Sequence, residues 1–253
     1  MSKLVIENLY PEYNNLYGDR GNLLVLRRKL ERLGVETEWV ETGLYDEPAF
    51  VRRPVDLLYI GPCTEHQQEA ELTRLAHYRD ALADRMQSPL ITLCTGNAIE
   101  LFGQYILRAP GAPQGGERLP ALGLTELHAE RFLRLRYNEL CLGTFTPESG
   151  APIEVVGFKN QLSHSYGENP HPFLQMQTGT GINPDVHAEG VHQAGFFATY
   201  LIGPLLPLNP QLTAYLLQKL VPGCGDAVLP FEQEAYAKRL SELRDPAVNA
   251  SHH

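Results

Sequence analysis

The stretch Pro89-Leu90-Ile91-Thr92-Leu93-Cys94-Thr95-Gly96-Asn97-Ala98-Ile99-Glu100-Leu101-Phe102-Gly103 constrains the fold more than any other part of the chain. A short apolar run ends in a cysteine, a glycine follows two residues later, and a helix-like pattern closes on a second glycine. That order specifies a buried parallel strand, a tight turn and a helix. It predicts that the Cys94 sulfur stands where the strand stops and the helix begins. Helix-end N–H groups and the positive end of the helix dipole lower the pKa of a thiol placed there. The same N–H groups can hold an oxyanion. A free cysteine in such a strand can equally do no more than fill core volume.

Similar units precede this one. Lys3 to Leu9 reads as a first strand, ended by Pro11, and Asn15 to Asn22 is a glycine-punctuated turn that opens a helix. Leu23, Leu26, Leu30 and Leu33 form one apolar stripe on that helix, which Gly34 stops. Asp19, near the helix start, reads as a cap. Val35, Thr37 and Trp39 alternate with Glu36 and Glu38 as a half-exposed strand, and Val55 to Ile60 is a third strand ending at Gly61-Pro62-Cys63. Thr64 and Gln67 have capping-box spacing before a long helix whose buried stripe is Leu72, Leu75, Leu82 and Met86. Such alternation predicts right-handed crossovers and a mostly parallel central sheet flanked by helices, an α/β fold. Ligands of such sheets sit beyond the carboxyl ends of the strands, where Gly61, Cys63 and Cys94 gather.

After the Gly- and Pro-rich loop of residues 109–116 the pattern changes to short strands: Arg131 to Leu135, Glu139 to Phe145, Ile153 to Phe158 and Phe173 to Gln177. This half reads as more antiparallel, with Arg131, Arg134 and Arg136 on a solvated strand face. Phe196 to Ile202 is a buried strand, Asn209-Pro210 an N-cap and first helical residue, and Phe231 to Leu243 a last helix. Residues 1–244 are expected to form a single domain and 245–253 a tail.

Four scattered cysteines without a C-x-x-C pair argue against a zinc site or a disulfide framework and suit a reducing cytoplasm. A formal charge of −9 over 253 residues disfavours nucleic acid and anionic membranes as partners. No apolar run reaches membrane-spanning length, and the first residues lack the apolar core of a signal peptide.

Four segments together resemble one family. Leu9-Tyr10-Pro11 through Asn15-Leu16-Tyr17-Gly18-Asp19-Arg20-Gly21-Asn22 is similar to the N-terminal signature of GatD-type glutamine amidotransferases, relatives of the cobyric acid synthase amidotransferase domain. Gly61 to Gln68 falls on the triple-glycine loop of that family, and Cys94-Thr95-Gly96 on its nucleophile elbow. Thr199 to Pro210 is similar to its Tyr-Leu-His-Gly-Pro segment. The resemblance implies a class I glutamine amidotransferase fold that needs no cofactor. It also implies hydrolysis of L-glutamine through a cysteine thioester at Cys94, with the ammonia passed to a MurT-like, ATP-dependent Mur-ligase subunit that amidates the D-glutamate of lipid II. It places glutamine against Gly61, Cys63, Gln68, Thr95 and Gly96.

The chain departs from the family where the chemistry is most demanding. Thioester chemistry needs a thiolate, a base and oxyanion donors. The base of the family is the histidine after Tyr-Leu, and Ile202 stands there. Pro62 replaces a glycine of the loop and has no N–H to donate, leaving the Cys63 and Thr95 N–H groups as donors. A substrate-binding arginine falls on His164, and the segment from Cys94 to Gly103 is about two residues longer than usual. Loss of a general base costs ~10²–10⁴ in rate, and loss of one oxyanion donor roughly 10²–10³. Three readings follow: an amidotransferase subunit; a non-hydrolysing binding module with the same fold; and another cysteine hydrolase that recruits His164 or His192, with His187 nearby, as a substitute base.

Overall fold

The computed structural model describes residues 3–112, 114–134, 136–225 and 227–245. Its first half runs β1 (Leu4–Leu9), α1 (Gly21–Arg32), β2 (Thr37–Thr42), α2 (Ala49–Arg52), β3 (Leu57–Ile60), α3 (Glu65–Leu75), α4 (Arg79–Met86) and β4 (Ile91–Thr95). The second half is richer in strands: β5 (Tyr105–Leu107), β6 (Arg118–Pro120), β7 (Leu127–Arg131), β8 (Tyr137–Phe145), β9 (Ile153–Gln161), β10 (Ser163–Gly167), β11 (Leu174–Thr178), β12 (Ala188–Glu189), β13 (Val191–Gln193) and β14 (Phe196–Thr199). Three helices follow, α5 (Leu205–Leu208), α6 (Pro210–Leu220) and α7 (Pro230–Arg244).

A six-stranded sheet of order β13-β14-β4-β3-β1-β2 carries the structure, and every pairing in it is parallel except β13 with β14. Because side chains alternate across a strand, each sheet face buries its own set. Ile6, Leu57, Tyr59, Leu93 and Phe197 pack on one side with Leu26, Leu30, Leu212 and Leu216 from α1 and α6. Leu58, Ile60, Cys94 and Ala198 pack on the other with Leu72, Leu75, Leu82 and Phe102. Two four-stranded sheets, β10-β7-β5-β6 and β12-β11-β8-β9, complete the fold, all antiparallel except β5 with β7.

The Thr64–Gln67 capping box forms as its spacing predicts. The long helix after it is two helices, joined by a 3₁₀ turn at Ala76–Tyr78. Asn209 does not cap α6 with its side chain. It is fully buried, accepting from the Val156 N–H at 2.8 Å and donating to the carbonyls of Val156 and Leu205 at 2.7 and 2.8 Å. Asp19 is likewise no cap: its carboxylate is buried and accepts from Tyr59 and Thr95. The strand expected from Arg131 to Leu135 lies earlier, and only Arg131 belongs to it. Arg131 is buried against Glu69 and Gln68 rather than on a solvated face. Most of the expected tail, residues 246–253, lies outside the described residues. Among the described residues no helix is long and apolar enough to cross a membrane.

Asn209→Ala leaves the Val156 amide and carbonyl buried without partners, each costing about 1–3 kcal/mol. Urea titration should show a loss of at least ~2 kcal/mol for it. Gln218→Ala, on the exposed side of α6, should stay within ~0.5 kcal/mol.

Candidate functional site

The carboxyl ends of β3, β4 and β14 open on one cleft of about 210 Å³. Pro62 and Cys63 follow β3, Gly96 and Asn97 follow β4, and Tyr200 and Ile202 follow β14. Asn160, Gln161, Leu162 and Ser163, from the β9–β10 corner, close the opposite wall. A larger hollow of about 610 Å³ lies beside α6. Among its lining residues the Tyr215 phenol is the one ionisable side chain.

The backbone turns from strand to helix at Gly96, not at Cys94. Strand β4 runs on through Thr95, and Gly96 opens a seven-residue 3₁₀ helix to Phe102. Gly96 has φ +59°, the left-handed conformation that a side chain rarely adopts. A Cβ at position 96 would lie 2.6 Å from Pro62 Cβ and 3.2 Å from Ile202 Cγ2. Pro62 and Ile202 therefore fill the space into which a side chain on this turn would point.

Cys94 sits one residue inside β4, paired with Ile60 and Ala198, and is wholly buried. Its side chain belongs to the apolar cluster with Leu72, Ile99 and Phe102, and it does not line the cleft. Burial pushes its thiol pKa far up, with Arg85 only partly opposing. The expectation of a thiol at a helix N-terminus thus fails: the thiol is two residues early, and strand alternation turns it into the core.

The other expected residues divide. Cys63 and Gly96 line the cleft, whereas Gly61, Gln68, Thr95, His164 and His192 do not. Gly61 is pressed against the Asn14 carbonyl, where a Cβ would come within 2.7 Å. Thr95 turns its hydroxyl to Asp19 and Tyr59. The Cys63 N–H donates to Asn97 Oδ1 at 3.1 Å, and Asn97 Nδ2 returns a bond to the Cys63 carbonyl at 3.0 Å. Of the two expected oxyanion donors, the Cys63 N–H is therefore engaged within the turn rather than free in the cleft. The Cys63 thiol is held far up by burial first and by Glu71 second.

Gln68 is a fully buried bridge. Its Nε2 donates to the Asn97 carbonyl at 2.7 Å and to Glu100 Oε2 at 3.1 Å, and its Oε1 accepts from Arg131 Nη2 at 2.7 Å. Glu100, buried behind the turn, also accepts from Ser163 and from the Tyr200 hydroxyl at 3.2 Å. Burial raises its pKa against those bonds.

His164 is buried with neither ring nitrogen bonded, between Phe132 and Tyr137 at centroid distances of 5.0 and 4.8 Å. Burial lowers its pKa. His192 stacks on Phe197 at 4.2 Å and engages the Phe196 carbonyl through Nδ1 at 3.1 Å. It pairs with Phe197, next to the starting residue of β14, whereas the cleft lies past that strand's other end. Neither imidazole approaches the turn as a base.

Sequence reasoning passed over Gly96 as the turn residue, and over Asn97, Glu100, Asn160, Ser163 and Tyr200. One signal did point to Gly96. The apparent two-residue excess between Cys94 and Gly103 disappears when the turn is counted back from Gly103.

Residues 5–210 match the CobB/CobQ-like glutamine amidotransferase domain family. The chain is 29% identical over 237 residues to the lipid II isoglutaminyl synthase (glutamine-hydrolyzing) subunit GatD of Staphylococcus aureus, covering 92% of this chain and 89% of that one. It is 27% identical over 217 residues to the subunit of the same name from Streptococcus pneumoniae, covering 85% and 79%. A solved glutamine amidotransferase superposes with a TM-score of 0.46 at 17% identity, covering 85% of this chain and 98% of that one.

Two outcomes follow from this geometry. With Cys63, Cys94 and Cys141 buried and Cys224 half-exposed, mass spectrometry after brief maleimide treatment at neutral pH should find one label, on Cys224; the other three should react only in denaturant. Glu71, beside Cys63 and Asn14, is pushed up to about 8 by burial. Its folded pKa lies above its unfolded one, so the folded state holds the extra proton and stability falls as pH rises from about 4.5 to about 8. Glu71→Gln should flatten that decline in urea titrations across the window, and at pH 8.5 it should be the more stable protein.

Proposed function

The chain belongs to the CobB/CobQ-like glutamine amidotransferase family, and from that premise we propose that it is a member that keeps the fold and the partner role without hydrolysing glutamine. The observation that carries this reading is Gly96 on the strand-to-helix turn, with its side-chain space filled by Pro62 and Ile202. A nucleophile elbow works because its sharp turn lifts one reactive atom out of the sheet into the cleft. Glycine offers no such atom. Cys94 cannot substitute from inside the core, because attack needs a thiolate and burial without a paired cation disfavours it.

The remaining requirements point the same way. Ile202 carries no proton, Pro62 has no N–H, and the Cys63 N–H is engaged by Asn97. The losses fall on nucleophile, base and oxyanion stabilisation together. Such groups act as a unit, so residual catalysis at one of them does not restore the others.

The similarity to two GatD subunits supports the partner role. In this proposal the chain is the cytoplasmic, non-hydrolysing subunit of a complex with a MurT-like, ATP-dependent Mur-ligase partner that amidates lipid II. The partner then takes free ammonia rather than ammonia released from glutamine here.

The test is amidation by the reconstituted complex, with ATP and acceptor, given either glutamine or ammonium chloride. Ammonium should support product and glutamine should release no glutamate above background. Cys94→Ala should leave both unchanged. Glutamate release that disappears in Cys94→Ala would overturn the proposal. Gly96→Cys alone should gain no glutaminase activity, because Pro62 and Ile202 occupy the space its side chain needs.

A further inference from the structure

The cleft does not end at Leu162. On the far side of that residue lies a second hollow of about 430 Å³, walled by Ala109, Ala112, Phe132 and Leu133. Leu162 and Glu65 line both hollows, so the two adjoin along one face from the Gly96 turn to the loop after β5. The connection after β7 passes beside this shared wall, where the Phe132 N–H donates to the Leu162 carbonyl at 2.8 Å. There the chain exposes Leu133 to 60%, next to exposed Arg134, with exposed Arg136 lining the cleft.

The charges along the groove are unevenly matched. Arg108 and Arg131 both pair with Glu69, at 2.7 and 2.8 Å, and Arg108 pairs with Glu117 as well, at 3.2 Å. Arg134 and Arg136 form no ion pair among the described residues. Glu65 lines the groove in the first turn of α3, where the positive end of the helix faces its carboxylate. A chain of formal charge −9 thus leaves two unpaired guanidinium groups around an exposed leucine. Arginine is enriched at interfaces relative to the rest of a protein surface, and the exposed leucine beside it offers apolar area to bury.

We propose that this groove seats a partner protein through a segment in which an apolar side chain is flanked by carboxylates. The apolar side chain packs on Leu133 and Leu162, and the carboxylates meet Arg134 and Arg136. Charge selects this occupant over a second copy of the chain. A two-fold contact through this patch places the same residues against each other, setting guanidinium against guanidinium. The inference rests on the reading of the chain as a partner subunit, and it names the surface that role uses.

The experiment is calorimetric titration of the full chain with the purified Mur-ligase subunit. The variants are Arg134→Glu/Arg136→Glu, Leu133→Asp, and Phe231→Asp, the last at an apolar residue 65% exposed on α7. The double reversal and Leu133→Asp should each weaken binding tenfold or more, with unchanged thermal unfolding, and Phe231→Asp should bind like the unaltered chain. Raising sodium chloride from about 0.05 to 0.5 M should weaken the unaltered chain and spare the double reversal. Wild-type affinity in both groove variants overturns the proposal, as does an equal loss in Phe231→Asp. No complex with the unaltered chain rejects the partner-subunit reading and this occupant with it. A dimer of the chain alone, seen by light scattering and lost in the same variants, overturns the proposal in favour of self-association.

Discussion

The close packing of Pro62 and Ile202 over the left-handed turn at Gly96 is the constraint on which the site depends. Three strands of one parallel sheet end at that point, and each contributes one of the three residues. The turn holds a positive φ, and the space beyond its Cα is already occupied. Glycine meets both conditions at once; any other residue is strained at this φ and must also displace Pro62. The three positions are therefore coupled: a side chain at 96 requires a smaller residue at 62 and room beside 202.

Around this plug the cleft keeps its order through a buried polar network. Glu100 gathers Ser163, Tyr200 and Gln68, and Gln68 passes the connection to Arg131 and so to Glu69. These bonds tie the turn after β4 to β7, to β10 and to α3, three elements outside the central sheet. Removing one member leaves its neighbours buried and unpaired, which costs more than the bond itself contributes. That asymmetry holds the cleft's shape independently of any reactive group in it. Its walls are fixed by groups that a reactive thiol never had to touch.

The sequence exposed the parallel half of the fold well because two periodicities overlap there. Leu23, Leu26 and Leu30 mark the buried face of α1, and the Thr64–Gln67 box fixes where α3 starts. The second half was less legible. Arg131, Arg134 and Arg136 look alike in a linear pattern, yet one is buried in an ion pair and two stand in solvent. Asn209 carries the marks of a helix cap and spends its amide on the β9 backbone instead. Long-range partners of this kind leave no local trace. The site failed for a different reason: a cysteine near a glycine draws the eye to sulfur, whereas the backbone conformation that defines the turn belongs to the glycine.

The distance between those two residues decides the chemistry. Two steps along a strand are ~7 Å, and positions two apart share a face of the sheet. Within β4, Cys94 faces the apolar cluster under the helices; at 96 the backbone has left the sheet and borders the cleft, with Pro62 and Ile202 over its Cα. At the turn a thiol would reach the edge of the cleft only if Pro62 and Ile202 gave way. Two residues earlier it meets Leu72 and Phe102, where forming a thiolate requires stripping a full charge of water. Arg85 opposes that cost only in part, and its guanidinium donates to Thr92 and to the carbonyls of Val55 and Ile91 rather than to the sulfur. The presence of a cysteine in the right segment is thus a poor guide to catalysis. What matters is which residue stands on the turn, and here it carries no side chain.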